Sequence, residues 1–230
     1  MQKWILTATL ALSLQGLALT SGLSYDSNVP SDIQKQMEDD ISFISQVQGT
    51  QATPFHNEIY GVVNGNNYQK FFVSHVSKVG MNDCGSSAAV ACVIPMSNPH
   101  KIWLTNNFVK FSHPQVARVM VVFHEARHSE SENGNWGHDT CPSPFVDEKG
   151  NAMKSIWTGE PLAGQPACDS TQYGSYGSST IMLKNISKYC DNCSDKVKMD
   201  ADVYAMDQLG RIDDPDVKQK MLNDFRGRFF

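Results

Sequence analysis

The sequence has little positive charge: 19 lysines and arginines are outnumbered by 24 aspartates and glutamates, and the net charge is −5. The positive residues also form no basic cluster. Nucleic-acid-binding proteins usually carry a basic face, so no nucleic acid is expected as a partner. Beyond its first residues the sequence has no apolar run of the roughly 20 residues that would cross a bilayer. It also has no internal repeat and no linker of biased composition, which favours one globular domain.

The first 22 residues, MQKWILTATLALSLQGLALTSG, have the pattern of a signal peptide. Lys3 supplies a positive start, an apolar segment runs from Trp4 to Leu14, and small residues follow up to Gly22. Polar Gln15 ends the apolar segment before it is long enough to span a membrane. We therefore predict a signal peptide at 1–22 and a single domain at 23–230. The mature chain would be secreted or periplasmic, without stable membrane insertion.

All six cysteines lie after this leader, and an even number of cysteines in an exported protein predicts disulfides. Six cysteines can pair in many ways, but short local loops favour Cys84–Cys92 and Cys190–Cys193, which leaves Cys141–Cys168. The alternative for Cys190 and Cys193 is half a zinc ribbon or a redox pair. A ribbon needs a second ligand pair and a redox pair needs a βαβ context, and neither is found in the sequence.

Apolar periodicity and turn residues predict an α+β fold. The sheet would be small and mixed or antiparallel, and one helix would be buried. A long irregular region at 129–180 would precede a C-terminal helix. The predicted elements are helices at 32–47, 114–128 (with Ser112 as its cap), 194–212 and after Pro215, a hairpin pairing 58–63 with 68–75 across Asn64-Gly65, and strands within AAVACVIP and KIWLTNNFV.

The segment FHEARH, residues 123–128, places two histidines four positions apart on the predicted buried helix. This spacing puts the rings of His124 and His128 one turn apart on the same helix face, where they can share a metal ion. Glu125 is rotated by about 100° around the helix axis and can sit beside the metal without binding it. There it can act as the general base that takes a proton from water.

A catalytic zinc site normally has three protein ligands and one open position. His138 is the nearest candidate for the third, because Gly134 and Gly137 would let the chain turn back under the end of the helix. The alternative is a carboxylate from the last long helix, where Asp200, Asp202 and Asp207 are candidates. We favour His138 because the connecting loop is short and imidazole is a common zinc ligand.

The stretch resembles the metzincin branch of the zinc peptidases, whose motif is H-E-x-x-H-x-x-G-x-x-H. The resemblance is partial: Ser131 stands at the glycine position, Gly134 stands at the third histidine, and His138 follows an insertion of four residues. The triplet GHD at 137–139 resembles the end of some metzincin motifs. Met182, in SSTIM, is faintly similar to their methionine turn, although a core position explains it better. The resemblance implies a zincin-like domain that binds Zn²⁺ through His124, His128 and His138.

We therefore predict a secreted zinc-dependent hydrolase, in the first place a peptidase acting on peptides or proteins, with Glu125 as general base. One alternative is a zinc amidase or deacetylase acting on cell-wall material. The other is a non-catalytic, disulfide-stapled binding or structural domain, in which a fourth protein ligand would close the metal site.

Several further residues have two interpretations. Arg127 is predicted to form a structural ion pair, and Trp136 to order the loop by packing. Tyr173 and Tyr176 could each offer a hydroxyl to an oxyanion or be loop aromatics. The remaining histidines lack ligand spacing and are predicted to be surface or core residues: His56, His75, His100 and His113.

Overall fold

The computed structural model describes residues 22–82, 84–110 and 112–227, so the predicted signal peptide lies outside it except for Gly22. Helices and short strands come in separate groups along the described chain, as expected for an α+β fold. The strands are β1 (Ser24–Tyr25), β2 (Lys78–Met81), β3 (Ala91–Ile94), β4 (Asn98–Leu104), β5 (Asp139–Thr140) and β6 (Pro166–Cys168). The helices are α1 (Ser31–Ser45), α2 (Pro54–Tyr60), α3 (Gly65–His75), α4 (Asn106–Lys110), α5 (Gln115–Arg127), α6 (Ser175–Tyr189), α7 (Asp195–Gly210) and α8 (Pro215–Phe225), with a 3₁₀ segment at Ser131–Trp136.

The main sheet is mixed and has four strands in the order β1-β2-β4-β3. Strands β1, β2 and β4 run parallel, whereas β3 pairs antiparallel with β4 and forms one edge. The two strands predicted within AAVACVIP and KIWLTNNFV are confirmed as β3 and β4. The remaining strands, β5 and β6, form a separate two-stranded ribbon in the region predicted to be irregular.

Helix α5 passes through the centre of the molecule and is buried on almost every face. It packs against the sheet on one side and against α1, α6 and α7 on others. A helix surrounded in this way needs apolar residues all round, which explains the run VARVMVVF. The predicted helix at 114–128 is confirmed, but its cap is Pro114 and not Ser112. Pro114 cannot donate a backbone hydrogen bond, and the first turn of a helix does not require one.

The predicted hairpin at 58–75 is wrong, because residues 58–60 end α2, residues 61–63 form a loop, and residues 68–75 belong to α3. Asn64 caps α3, its side chain accepting a hydrogen bond from the Asn66 backbone N–H at 2.9 Å. Gly65 lies so close to α1 that an added Cβ would be 1.9 Å from the Ser45 carbonyl oxygen. The Asn-Gly pair therefore starts a helix at a tight helix contact and does not form a hairpin turn.

The irregular region was predicted to extend to residue 180, but α6 begins at Ser175. Its first turns are rich in glycine, serine and threonine, which have low intrinsic helix propensity. The hydroxyls of Ser179 and Thr180 donate to the carbonyls one turn earlier, at 2.7 and 2.9 Å. Those bonds satisfy polar groups that are fully buried against α5 and α7. Met182, in the same helix, is a buried core residue.

Three disulfides are present, and they are the three predicted pairs: Cys84–Cys92, Cys141–Cys168 and Cys190–Cys193. Disulfides of this kind are typical of an oxidising compartment, such as the periplasm or the cell exterior. Of the helices in the described ranges, none is both long and apolar enough to cross a membrane.

Candidate metal centre

Three histidine rings converge at the end of α5. The Nε2 atom of His138 lies 3.1 Å from that of His124 and 3.2 Å from that of His128. His124 and His128 come from consecutive turns of α5, and His138 comes from the loop that follows the 3₁₀ segment. Within the described ranges, these three side chains form a group that could hold a metal ion.

The hydrogen bonds of the outer ring nitrogens determine where the ring protons are. His128 donates from Nδ1 to the Asn135 carbonyl at 2.8 Å, and His138 donates from Nδ1 to a carboxylate oxygen of Asp169 at 2.8 Å. The ring of His124 is hydrogen-bonded to the backbone of Ser175. In the neutral rings of His128 and His138 the Nε2 atoms are therefore unprotonated, so each presents a lone pair. Two lone pairs that meet at 3.2 Å, as those of His128 and His138 do, repel unless a cation lies between them.

The chain reaches His138 through a sharp reversal after α5. Gly134, Asn135 and Trp136 have φ values of 64°, 57° and 43°, a left-handed stretch that turns the chain back toward the helix. Gly134 was predicted to provide this turn, whereas Gly137 has an ordinary φ of −57° and does not contribute. Burial of the adjoining Glu130 carboxylate is compensated by several hydrogen bonds. They come from Arg127 at 2.5 Å, Trp136 Nε1 at 2.7 Å and Asn133 at 2.9 Å, and the first confirms the predicted ion pair of Arg127.

Asp169 orients the third ring. Its Oδ1 atom accepts the His138 hydrogen bond, and its Oδ2 atom accepts one from the Tyr176 backbone N–H at 2.7 Å. The side chain is 2% exposed, so both bonds are shielded from water. The Cys141–Cys168 disulfide joins the strand that follows His138 to the strand that precedes Asp169. A carboxylate behind a histidine fixes its tautomer and its ring orientation.

Glu125 is buried next to the three histidines, with 6% of its surface exposed. Burial raises the pKa of its carboxyl group to about 8, and a hydrogen bond with the Val93 backbone on the edge strand β3 partly opposes that rise. Burial lowers the pKa of His124 well below its ordinary value and that of His128 to about 4, with His138 contributing to both shifts. A buried carboxyl group that is not in an ion pair is unusual outside functional sites.

The histidines and Glu125 open onto a groove of about 480 Å³. The groove runs between the edge strand β3 and the loop at 155–167, and much of its wall is apolar. The apolar wall residues include Val93, Met120, Val121, Trp157 and Leu162. A groove that combines apolar walls with a few convergent polar groups is the usual form of a ligand site.

The chain matched no family model, no curated protein and no solved structure.

The carboxylates considered as alternative third ligands lie elsewhere. Asp200 pairs with Lys196 at 2.6 Å, and Asp202 pairs with Lys184 at 2.5 Å. Asp207 accepts a hydrogen bond from Gln208 at 2.8 Å. Their side chains do not join the histidine group, which favours His138 as the third ligand.

The two tyrosines have different positions. Tyr173 donates a hydrogen bond to Glu58 at 2.5 Å and so links two surface segments. Tyr176 packs against both His124 and His138, with ring centroids 4.5 and 4.6 Å away. Its hydroxyl accepts a hydrogen bond from Arg211 at 2.9 Å. Among the other histidines, His56 is a core residue with both ring nitrogens hydrogen-bonded.

Two site residues, Asp169 and Arg211, were not predicted from the sequence. The predicted Cys141–Cys168 bridge was a signal for the first, because it places residue 169 beside the strand that follows His138. Arg211 offered no such signal, since it directly follows a helix and has no motif around it.

Proposed function

We propose that this protein is a zinc-dependent hydrolase that cleaves peptide bonds, with zinc held by His124, His128 and His138 and with Glu125 as general base. The observation that carries the proposal is the convergence of three imidazole nitrogens beside a buried carboxyl group in the lining of one groove.

The donor set suits zinc. Ligand nitrogens at about 2.0–2.1 Å from a tetrahedral zinc lie about 3.3 Å from one another. The separations of the His138 Nε2 atom from the other two Nε2 atoms, 3.1 and 3.2 Å, are close to that value. Three neutral imidazoles without a carboxylate or thiolate are the ligand set of several catalytic zinc sites, and they suit calcium and magnesium poorly. The group has three ligands among the residues that the structure describes, and three ligands favour a catalytic over a structural metal.

When bound, the zinc ion supplies a Lewis acid that polarises a carbonyl group and lowers the pKa of water. Glu125 lines the same groove as the three histidines, and there its carboxylate would accept a proton from the attacking water. The water oxygen forms a bond to the carbonyl carbon, the carbon–nitrogen bond breaks, and Glu125 delivers the same proton to the leaving amine. The Val93 hydrogen bond holds the Glu125 carboxylate in place, and the Asp169 hydrogen bond holds the His138 ring.

The shape of the groove supports a peptide substrate over a small molecule. One wall is formed by the edge strand β3, and the apolar side chains beside the histidines can receive the side chains of an extended chain. The same chemistry would serve an amidase or a deacetylase, and hydrolysis of peptides distinguishes a peptidase from those two enzymes.

The test compares the purified mature protein with Glu125→Gln. We expect about one zinc per chain in both proteins, because glutamine leaves the three ligands intact. Hydrolysis of a peptide library should fall by at least about 100-fold in the variant, since the general base is lost. The control is Glu38→Gln, which removes an exposed carboxylate on α1 and should leave both zinc content and turnover unchanged.

Zinc content also tests the ligands. His124→Ala and His138→Ala should each lose zinc while the protein remains folded, as judged by circular dichroism. Turnover that survives Glu125→Gln, or wild-type protein that takes up no zinc when it is supplied, would contradict the proposal.

A further inference from the structure

Arg211 is a buried positive charge at the edge of the groove. Only 5% of the residue is exposed, yet it lines the same cavity as the three histidines. It is the single lysine or arginine among the described residues around that cavity. A charge removed from water in this way is unfavourable unless an opposite charge or good hydrogen bonds compensate it.

The protein compensates this charge incompletely. The guanidinium donates one hydrogen bond, from Nη1 to the hydroxyl of Tyr176, and that partner is neutral. Its Nε atom is buried without a hydrogen-bond acceptor among the residues that the structure describes. The nearest carboxylate oxygen, Oδ2 of Asp207, is 3.8 Å from Nε and accepts instead from Gln208 at 2.8 Å. Burial also raises the pKa of Asp207, which weakens it as a counter-charge.

The position of Arg211 relates it to the reacting centre. The ring of Tyr176 lies within 4.6 Å of the His124 and His138 rings, and the guanidinium carbon of Arg211 lies 4.7 Å from that same ring. Arg211 and the two histidines therefore contact the same aromatic ring and line the same cavity. An anionic group bound to it would lie close to the bond that is cleaved.

We propose that Arg211 is the receptor for a substrate carboxylate, so that the groove selects peptides with a carboxylate next to the scissile bond. This inference rests on the proposed function. Arg211 lines the cavity with its charge only partly compensated, and a planar guanidinium matches a carboxylate better than any other common peptide group. The carboxylate could be the carboxyl terminus of a peptide or the side chain of an aspartate or glutamate, and the probes below distinguish the two.

The experiment measures binding without turnover, in the zinc-loaded Glu125→Gln protein. Three probes are titrated by calorimetry: N-acetyl-Ala-Ala with a free carboxylate, its C-terminal amide, and N-acetyl-Ala-Glu-amide. At least one of the two carboxylate probes should bind about 10- to 100-fold more tightly than the neutral amide, as expected for hydrogen bonds to a charged group. Preference for the first indicates a terminal carboxylate, and preference for the third an acidic side chain.

Substitution of Arg211 identifies the receptor. Arg211→Gln in the same background should abolish the preference, whereas Arg211→Lys should retain part of it through its charge. Arg226→Gln removes an exposed arginine at the end of α8 and should leave the preference intact. Zinc content and thermal unfolding are measured for each variant to show that it is folded.

Two results would overturn the inference. One is equal affinity for all three probes in the protein that keeps Arg211, and this result does not depend on the folding of any Arg211 variant. The other is a preference that survives Arg211→Gln but disappears when zinc is removed, which would mean that the carboxylate binds the metal. Because no probe needs to be hydrolysed, either failure is distinct from a failure of the proposed function, which would appear as absent zinc or absent turnover.

Discussion

The carboxylate of Asp169 serves two partners, the His138 ring and the backbone N–H of Tyr176. Asp169→Asn keeps one acceptor oxygen but removes the negative charge and the second acceptor. His138 would then be free to rotate or to change tautomer, so that its Nε2 atom no longer points steadily at the other histidines. We expect zinc to bind about 10- to 100-fold more weakly, as is usual when the carboxylate behind a ligating histidine is lost.

Competition with a chromogenic chelator would measure the loss of zinc affinity in Asp169→Asn. Asp200→Asn is the matched control, because Asp200 pairs with Lys196 on the outer part of α7 and should not affect zinc. Equal zinc affinity of Asp169→Asn and wild type would show that the His138 ring is held by its packing alone. A loss in Asp200→Asn would instead restore the carboxylate as a candidate ligand.

Residues of the site differ in how far the sequence could reveal them. His124, Glu125 and His128 follow from helix periodicity alone, since a spacing of four fixes two side chains on one face. His138 required a loop to fold back, and the sequence predicted that from Gly134 but not from Asn135 and Trp136, which also have positive φ. Arg211 could not have been predicted, because its approach to the histidines depends on how α7 packs beside α6.

Among the secondary-structure elements, α3 and α6 show where local patterns mislead. Asn64-Gly65 suits a hairpin turn by propensity, but here the glycine is required by the close approach of α1. The first turns of α6 resemble a loop in composition, and tertiary burial overrides that preference by hydrogen-bonding the hydroxyls back to the helix. By contrast, α5 and α7 were predicted well because their apolar periodicity is clear, although the predicted cap of α5 was wrong. In the structure Ser194 and Asp214 cap α7 and α8.

The ribbon formed by β5 and β6 holds His138 and Asp169 at the same end, and the Cys141–Cys168 disulfide closes it. This bridge closes a loop of 27 residues, whereas the other two close loops of 8 and 3 residues. It therefore lowers the conformational entropy of the unfolded chain more than they do. The double substitution of Cys141 and Cys168 by alanine should lower the free energy of unfolding by about 3 kcal/mol. Zinc affinity should fall as well, because the His138–Asp169 contact is no longer constrained.

Urea unfolding and zinc competition would check both effects at a temperature where the variant is folded. The control replaces Cys190 and Cys193, which close a three-residue loop after α6. That variant should lose less stability and keep its zinc affinity. If the two double variants weaken zinc binding equally, the ribbon does not position His138.

For the whole molecule, stability in acid should depend on His56 in the main core. The residue is fully buried; its Nδ1 atom donates to the Gly61 carbonyl at 2.6 Å and its Nε2 atom accepts from the Tyr68 hydroxyl at 2.8 Å. The rings of Tyr60 and Tyr68 surround it, and burial lowers its pKa to about 4. The folded protein therefore holds His56 neutral at pH values where the unfolded chain is already protonated there.

The sign of the effect follows from this difference. The stability that His56 contributes is fully present above pH 6.5 or so, the ordinary histidine value, and is lost as the pH falls toward 4. Between pH 7 and pH 5 the free energy of unfolding should fall by about 2 kcal/mol through this residue.

Urea unfolding of wild type and His56→Gln isolates the contribution of His56. Both proteins are unfolded with a chelator present, so that metal release does not contribute. Glutamine can keep both hydrogen bonds and does not titrate. The free energy of unfolding of His56→Gln should therefore fall by about 2 kcal/mol less between pH 7 and pH 5 than that of the wild type. Equal losses in the two proteins would show that His56 is protonated in the core or that water reaches it.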